Sequence, residues 1–241
     1  RAHGERHRGA VMSDWLDYWL SYSLSDFLLF SSRTYYRLIE LYNLAIWPAQ
    51  IGCLLAGAAI VWLLLRPTPL RRRVVAAILA AAWAWIASAF HLERYATINW
   101  AAVYFAAAFA LQSLLFLWFG VVRDALVVAG ENSARRTAGV ALVAFAVAVQ
   151  PFAALMAARP LSRFEVFGAM PDPTVVATLG LAVLLANRLR WLLLAVPLLW
   201  CAVGGLTLLA MESPEWPLLP AAGVAALALS LKRRSRGALR I

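Results

Sequence analysis

The residues able to do chemistry are few, and their spacing closes more routes than it opens. Three histidines occur, His3, His7 and His91, two of them near the N-terminus, so neither a bis-histidine haem nor a multi-histidine metal centre finds its ligands. Cys53 and Cys201 stand alone inside apolar stretches with no CxxC spacing and read as small buried hydrophobes. The single lysine, Lys232, sits in a basic C-terminal run, which leaves no intramembrane amine for a Schiff base. No GxxxxGK loop is present, so nothing supports ATP-driven work. The sequence thus implies no metal and no cofactor.

What remains is polar. The run His91-Leu92-Glu93-Arg94-Tyr95-Ala96-Thr97-Ile98-Asn99-Trp100 is followed by Tyr104 and Gln112; Gln50 comes two residues after Pro48, Gln150 precedes Pro151, and Asp172 lies within Pro171-Asp172-Pro173-Thr174. Polar groups in hydrocarbon turn toward partners or water. The functional reading is a ligand-binding pocket containing His91, Glu93, Arg94, Asn99 and Tyr104, with Gln112, Gln50 and Asp172 as further candidates. The bland reading stands beside it: Glu93 and Arg94 as a solvated turn, the glutamines as interhelical hydrogen-bond partners, His91 as an interface residue at a helix end, the prolines as kinks. A catalytic pair of His91 with Glu93 would need a turn to converge, because residues two apart do not share a helix face.

The elements that would position these groups follow from composition. The chain has 241 residues, 63% of them hydrophobic and only 14% charged, where soluble domains run at roughly 45–50% and about 25%. Charge-free stretches run from Leu44 to Leu65, Val74 to Leu92, Ile98 to Val122, Ala138 to Ala158 and Trp191 to Met211. Each approaches the ~20 residues a helix needs to cross the hydrocarbon core. Two shorter stretches, Thr174 to Asn187 and Pro217 to Leu231, fall below the usual minimum of about 17 and are read as spanning, buried or re-entrant. The break at Arg188-Leu189-Arg190 marks a hairpin between two spans, with one kinked long helix as the alternative.

The expectation is an all-α polytopic bundle of about seven transmembrane helices. Basic residues orient it. One set of connections and the tail holds fourteen: Arg66, Arg71, Arg72, Arg73, Arg123, Arg135, Arg136, Arg188, Arg190, Lys232, Arg233, Arg234, Arg236 and Arg240. The opposite set holds three, Arg94, Arg159 and Arg163. Short cytoplasmic loops carry the excess, so the N-terminus is expected outside and the C-terminus in the cytoplasm. The formal net charge of +10 is then a topology signal beside lipid headgroups, and nucleic acid is not an expected partner. Trp47, Trp100, Trp191 and Trp216 fall near span ends, as interfacial tryptophans do.

The expected organisation is a leader over 1–11, interfacial helices over 12–43, a bundle over 44–231 and a basic tail over 232–241. The first eleven residues resemble nothing that follows, and Met12 is the expected start. Beyond it, Trp15, Leu16, Trp19, Leu20, Leu24, Phe27 and Leu28 recur at helical spacing opposite Asp14, Asp17, Ser21 and Ser25. That is an amphipathic helix packing on the bundle or lying at the outer interface. Ser31 and Ser32 can cap a second helix, Arg33 to Asn43, in which Arg37 and Glu40 pair. Together these form a helical cap on the outer side.

The strings Ser25-Asp26-Phe27-Leu28-Leu29-Phe30, Arg33-Thr34-Tyr35-Tyr36, Ile46-Trp47-Pro48-Ala49-Gln50, Arg94 to Trp100 and Pro171-Asp172-Pro173-Thr174 resemble the bacterial membrane family of unknown function DUF6064 over nearly the whole chain from Met12. The resemblance implies a multi-pass bacterial membrane protein and carries no activity. The functional expectation is an inner-membrane protein that binds or passes a small solute through an outward-facing pocket. The alternatives are an accessory or assembly subunit docking a membrane-protein partner or a second copy, and, third, a membrane enzyme. Beyond the lipid bilayer, no ligand is named by the sequence.

Overall fold

The computed structural model describes residues 28–130 and 133–231. The expected leader, nearly all of the first amphipathic helix and the basic tail lie outside these. Among the described residues regular structure is helical, apart from one isolated antiparallel bridge between Val128 and Leu185.

Helix α1 (Ser32–Ala45) starts where the Ser31 hydroxyl accepts the Thr34 N–H at 3.2 Å, and it buries Tyr35, Leu38, Ile39 and Tyr42 on one face. The chain then bends by 90° into α2 (Ala49–Leu65). Helix α3 (Pro69–Trp85) begins at a Thr68 cap with Pro69 in its first turn, then continues through a π-helical segment, Ile86–Leu92, and a 3-10 turn, Tyr95–Thr97. Helix α4 (Ala102–Leu115) likewise ends in a π-helical segment, Phe116–Val122. Helix α5 (Ala134–Ala148) breaks at Gln150-Pro151 into a 3-10 helix, Gln150–Ala157, inclined at 52°. Helices α6 (Pro171–Leu184), α7 (Leu189–Ala210) and α8 (Leu218–Leu231) complete the order.

Each charge-free stretch of the sequence holds a helix, but not all are long enough to cross a membrane alone. Pro69–Thr97, Ala102–Val122 and Leu189–Ala210 are, and the two bent pairs, α1 with α2 and α5 with Gln150–Ala157, bring the number to five. Large apolar side chains are exposed around the bundle, including Leu55 at 66% and Val224 at 68%. So many exposed large apolar side chains suit contact with lipid.

Helix α6 is the centre. All fourteen of its residues are buried. At ~1.5 Å per residue it spans about 21 Å, short of a ~30 Å hydrocarbon core. The irregular segment before it, Val166 to Met170, is also buried, and several of its backbone groups are met by protein. Gly168 N–H donates to Thr174 Oγ1 at 2.8 Å, the Tyr42 hydroxyl donates to Ala169 O at 3.0 Å, and Met170 N–H donates to Val166 O at 3.0 Å. Buried non-helical backbone is tolerated where protein supplies its hydrogen-bond partners. Close approach of α5 requires glycine on both sides, because a Cβ on Gly180 would lie 2.7 Å from Gly139 O and one on Gly139 would lie 2.7 Å from Gly180 O.

Successive helices run between two ends. At one, α1 meets the turn after α3, the 159–170 connection and the 211–216 turn: Tyr36 Oη to Ser213 Oγ at 2.7 Å, Asn43 Nδ2 to Ser162 O at 2.9 Å, Arg163 to Glu40 at 3.0 Å, and Tyr35 against Tyr95. At the other, Arg72 meets Asp124 at 3.1 Å, Arg136 donates to Leu65 O at 2.6 Å, and Asn187 donates to Ala125 O at 2.7 Å.

Candidate functional site

The end that carries α1 contains two polar sites at different depths. The outer one is a cleft of ≈ 430 Å³ between α1 and the turn after α3, lined by Arg33, Thr34, Arg37, Leu38, Leu41, Glu93, Arg94, Thr97 and Ile98. Helical spacing on α1 puts Arg33 and Arg37 on the side opposite its buried tyrosines, and the turn supplies Glu93 and Arg94. Leu38, Leu41 and Ile98 contribute the apolar part of the lining. Its size falls in the range of small-molecule sites.

The inner site is a cavity of ≈ 30 Å³ lined by Gln150, Pro151, Ala153, Ala154, Arg159, Glu165, Asp172, Leu208, Glu215, Leu218 and Leu219. Arg159 forms a buried ion pair with Glu215 and lies over the Tyr36 ring at 4.1 Å. Asp172, in the first turn of α6, accepts the Trp200 indole N–H at 2.8 Å. Its place at a helix N-terminus suits a negative charge. Glu165 is held above the ordinary carboxylate range, first by burial and then by the Asp172 charge, with Arg159 opposing both. At the rim Glu40 moves the other way: the Arg163 hydrogen bond foremost, with Arg37 assisting, holds its carboxyl below that range.

Expected site residues separate between these places. Glu93 and Arg94 line the cleft together. Asp172 belongs to the inner cavity. His91 is fully buried among Phe90, Phe105, Phe109 and Trp200, with ring centroids 4.5 Å from Phe109 and 5.1 Å from Trp200, and neither ring nitrogen has a hydrogen-bond partner. Trp200 therefore links His91 to Asp172 without bringing either into the cleft. Asn99 Oδ1 accepts the Ala101 N–H at 3.0 Å, shaping the turn into α4. Tyr104 is 68% exposed and packs edge-on against Trp100. Gln112 donates to Leu193 O at 3.3 Å between α4 and α7, and Gln50 donates to Asn43 O at 2.6 Å across the α1–α2 bend.

A model of the family of unknown function DUF6064 matches residues 32–240. The chain belongs to this family. The strings around Tyr35, Pro48, Asn99 and Asp172 fall inside the matched range, whereas Ser25 to Phe30 precedes it. No curated protein and no solved structure matches the chain. Membership in DUF6064 brings no reaction with it, so the chemistry has to be read from the two sites.

Sequence reasoning gives no site role to Tyr36, Trp200, Glu215 or Arg159, whereas Glu165 falls in the polar cluster through the loop from Arg159 to Asp172. A signal was available for Arg159 and Glu215. Each is a charge in a short connection on the side where basic residues are scarce, and a charge that sets no topology there invites a partner. Among the described residues no group of three or more His, Cys, Asp or Glu converges to hold a metal ion.

Proposed function

We propose that the chain is a seven-span inner-membrane protein, N-terminus outside and C-terminus in the cytoplasm, with α1 as part of an outer cap. In this reading α6 and α8 complete the three to five helices that qualify by length, and the cleft beside α1 binds a small amphiphilic anion from the outer side. The observation that carries the reading is the convergence of Arg33, Arg37 and Arg94 on one cleft with Leu38, Leu41 and Ile98, three guanidinium groups against the single cleft carboxylate Glu93, with Arg37 also paired to Glu40. Guanidinium groups pair planar or tetrahedral anions, and the leucines receive an apolar tail. Passage of that solute through the bundle is the fuller form of the proposal.

Thermal unfolding in mild detergent with octyl phosphate as the probe tests it. The wild-type midpoint should rise with probe concentration, and the rise should vanish in the variant Arg33→Gln/Arg94→Gln. An equal rise in both would overturn the cleft assignment. Cysteine labelling from the outer side at position 93 or 212, in a background lacking Cys53 and Cys201, tests orientation, and protection of both positions would reverse it.

One observation favours the assembly-subunit reading. Gln50, Gln112 and Asn43 all spend their amides on bonds between segments of the chain, as locking residues do. If the two-arginine variant loses a co-purifying subunit and keeps its response to the probe, that reading replaces the first.

A further inference from the structure

The inner cavity is independent of the cleft and poses an electrostatic problem of its own. Three carboxyls, Glu165, Asp172 and Glu215, line one small space with a single guanidinium, Arg159. Arg159 is already engaged by Glu215 and by the Tyr36 ring. Asp172 has the Trp200 N–H, a neutral donor. Glu165, half-buried, and Asp172, buried, are therefore left without a counter-charge of their own, and a carboxylate withdrawn from water without one is costly to keep ionised.

A second observation points to a ligand. Gln150, only 7% exposed, lines the same cavity with its Oε1 unpartnered. Beyond their ion pair, Arg159 Nε and Nη1 and the Glu215 oxygens in the same lining are also without a hydrogen-bond partner, so the walls offer both donors and acceptors to an occupant that can do both, as water can. Its volume of ≈ 30 Å³ admits one water-sized occupant and excludes a solute. The carboxyl oxygens do not surround a common centre as metal ligands would, since no group of three acidic, His or Cys residues among the described ones could hold an ion.

We propose that this cavity is a proton-binding site: the Glu165–Asp172 pair shares one exchangeable proton, and a water in the cavity relays it past Gln150 toward the α1 end. Binding forms one O–H bond on a carboxylate oxygen, with the proton taken from water, and release returns it to water. Nothing is oxidised or reduced. The titratable groups that face the pair are Tyr35 and Tyr36 on α1, Tyr95 after α3, Arg159 and Glu215 from the connections, and Cys201 on α7. Arg159 is the cation among them and is shared with Glu215, so the pair keeps its excess of negative charge. The upward displacement of the Glu165 carboxyl has the same sense.

The test is infrared spectroscopy of the full chain in lipid nanodiscs across pH. Wild type should show a protonated-carboxyl stretch that persists above the ordinary carboxylate range and disappears on further titration. Asp172→Asn should lower the midpoint of the remaining carboxyl by about one pH unit, through loss of a like charge, and Glu165→Gln should remove or shift the band. Glu40→Gln, at the surface, should leave it unchanged. A band unmoved by both cavity substitutions overturns the proposal. So does its loss when sodium chloride replaces choline chloride at fixed pH, which would assign the site to an alkali cation. Should the variants fail to fold, the wild-type titration decides alone: no protonated carboxyl above roughly pH 5 refutes the site. None of these readouts involves the arginine cleft, so failure here leaves the anion-binding reading standing.

Discussion

The two ends of the bundle use arginine differently, with the Arg72–Asp124 pair, 3.1 Å apart, as the exception at the far end. At the end away from α1, guanidinium groups reach carbonyls where helices stop: Arg136 to Leu65 O at 2.6 Å, Arg71 to Arg66 O at 3.0 Å and Arg190 to Leu185 O at 3.4 Å. These are helix C-termini, where orphan carbonyls and the negative end of the dipole favour a cation. At the α1 end Arg159 and Arg163 meet carboxylates instead, and Arg159 does so buried. The difference teaches that an arginine beside a helix C-terminus finds ready work in finishing the helix, whereas Arg159, buried in a connection, is retained by a specific acidic partner.

That contrast can be broken or sharpened by substitution, read as unfolding free energy in detergent. Arg159→Ala leaves Glu215 buried without its partner and should destabilise by about 3–5 kcal/mol; a loss no greater than that of Arg72→Ala would erase the distinction between the ends. Along α6, Gly180→Ala forces a methyl against Gly139 O and should cost about 1–3 kcal/mol, with wild-type stability in this variant showing that α5 and α6 can part freely. Trp200→Phe removes the donor to Asp172 while keeping an aromatic ring, for about 1–3 kcal/mol if the carboxylate stays unsatisfied.

Acidity separates the ends next. A Glu165 carboxyl raised in the folded protein contributes stability below its unfolded value of about 4.3, and that contribution is lost as pH rises through the raised value. The wild-type melting temperature should therefore fall across that window, and Glu165→Gln should flatten the slope; an unchanged slope would place the pH response elsewhere. The smallest effect belongs to Arg72→Ala, whose partly exposed pair with Asp124 should contribute under about 1 kcal/mol and weaken in high salt.

Much of the architecture was legible because hydrophobic length and charge placement are one-dimensional. Every charge-free stretch contains a helix, and the Ser31 cap and the Arg37–Glu40 pair, 2.9 Å apart, lie on α1 as spacing predicts. Helix ends were less legible. Pro48 and Pro151 bend or break the chain inside stretches that hydropathy alone runs together. The site was legible only as a side: Glu93 with Arg94 share a cleft, but His91 and Asp172 went to different layers. Burial depth and partner choice depend on contacts between distant segments, such as Arg159 with Glu215 and Trp200 with Asp172, and no local pattern records those.

The enclosed central helix has a consequence for the order of assembly. Helix α6 precedes α7 and α8 in the chain, yet it packs against both, and all fourteen of its residues are covered in the finished bundle. Its neighbours on the C-terminal side are made after it. During synthesis α6 and the irregular Val166 to Met170 segment must therefore wait, unshielded on that side, until α7 turns back and α8 closes over them. The last described helix is thus the one that completes the enclosure, and a chain stopped before Leu218 would present its most buried element, with Asp172 at its head, to whatever surrounds it.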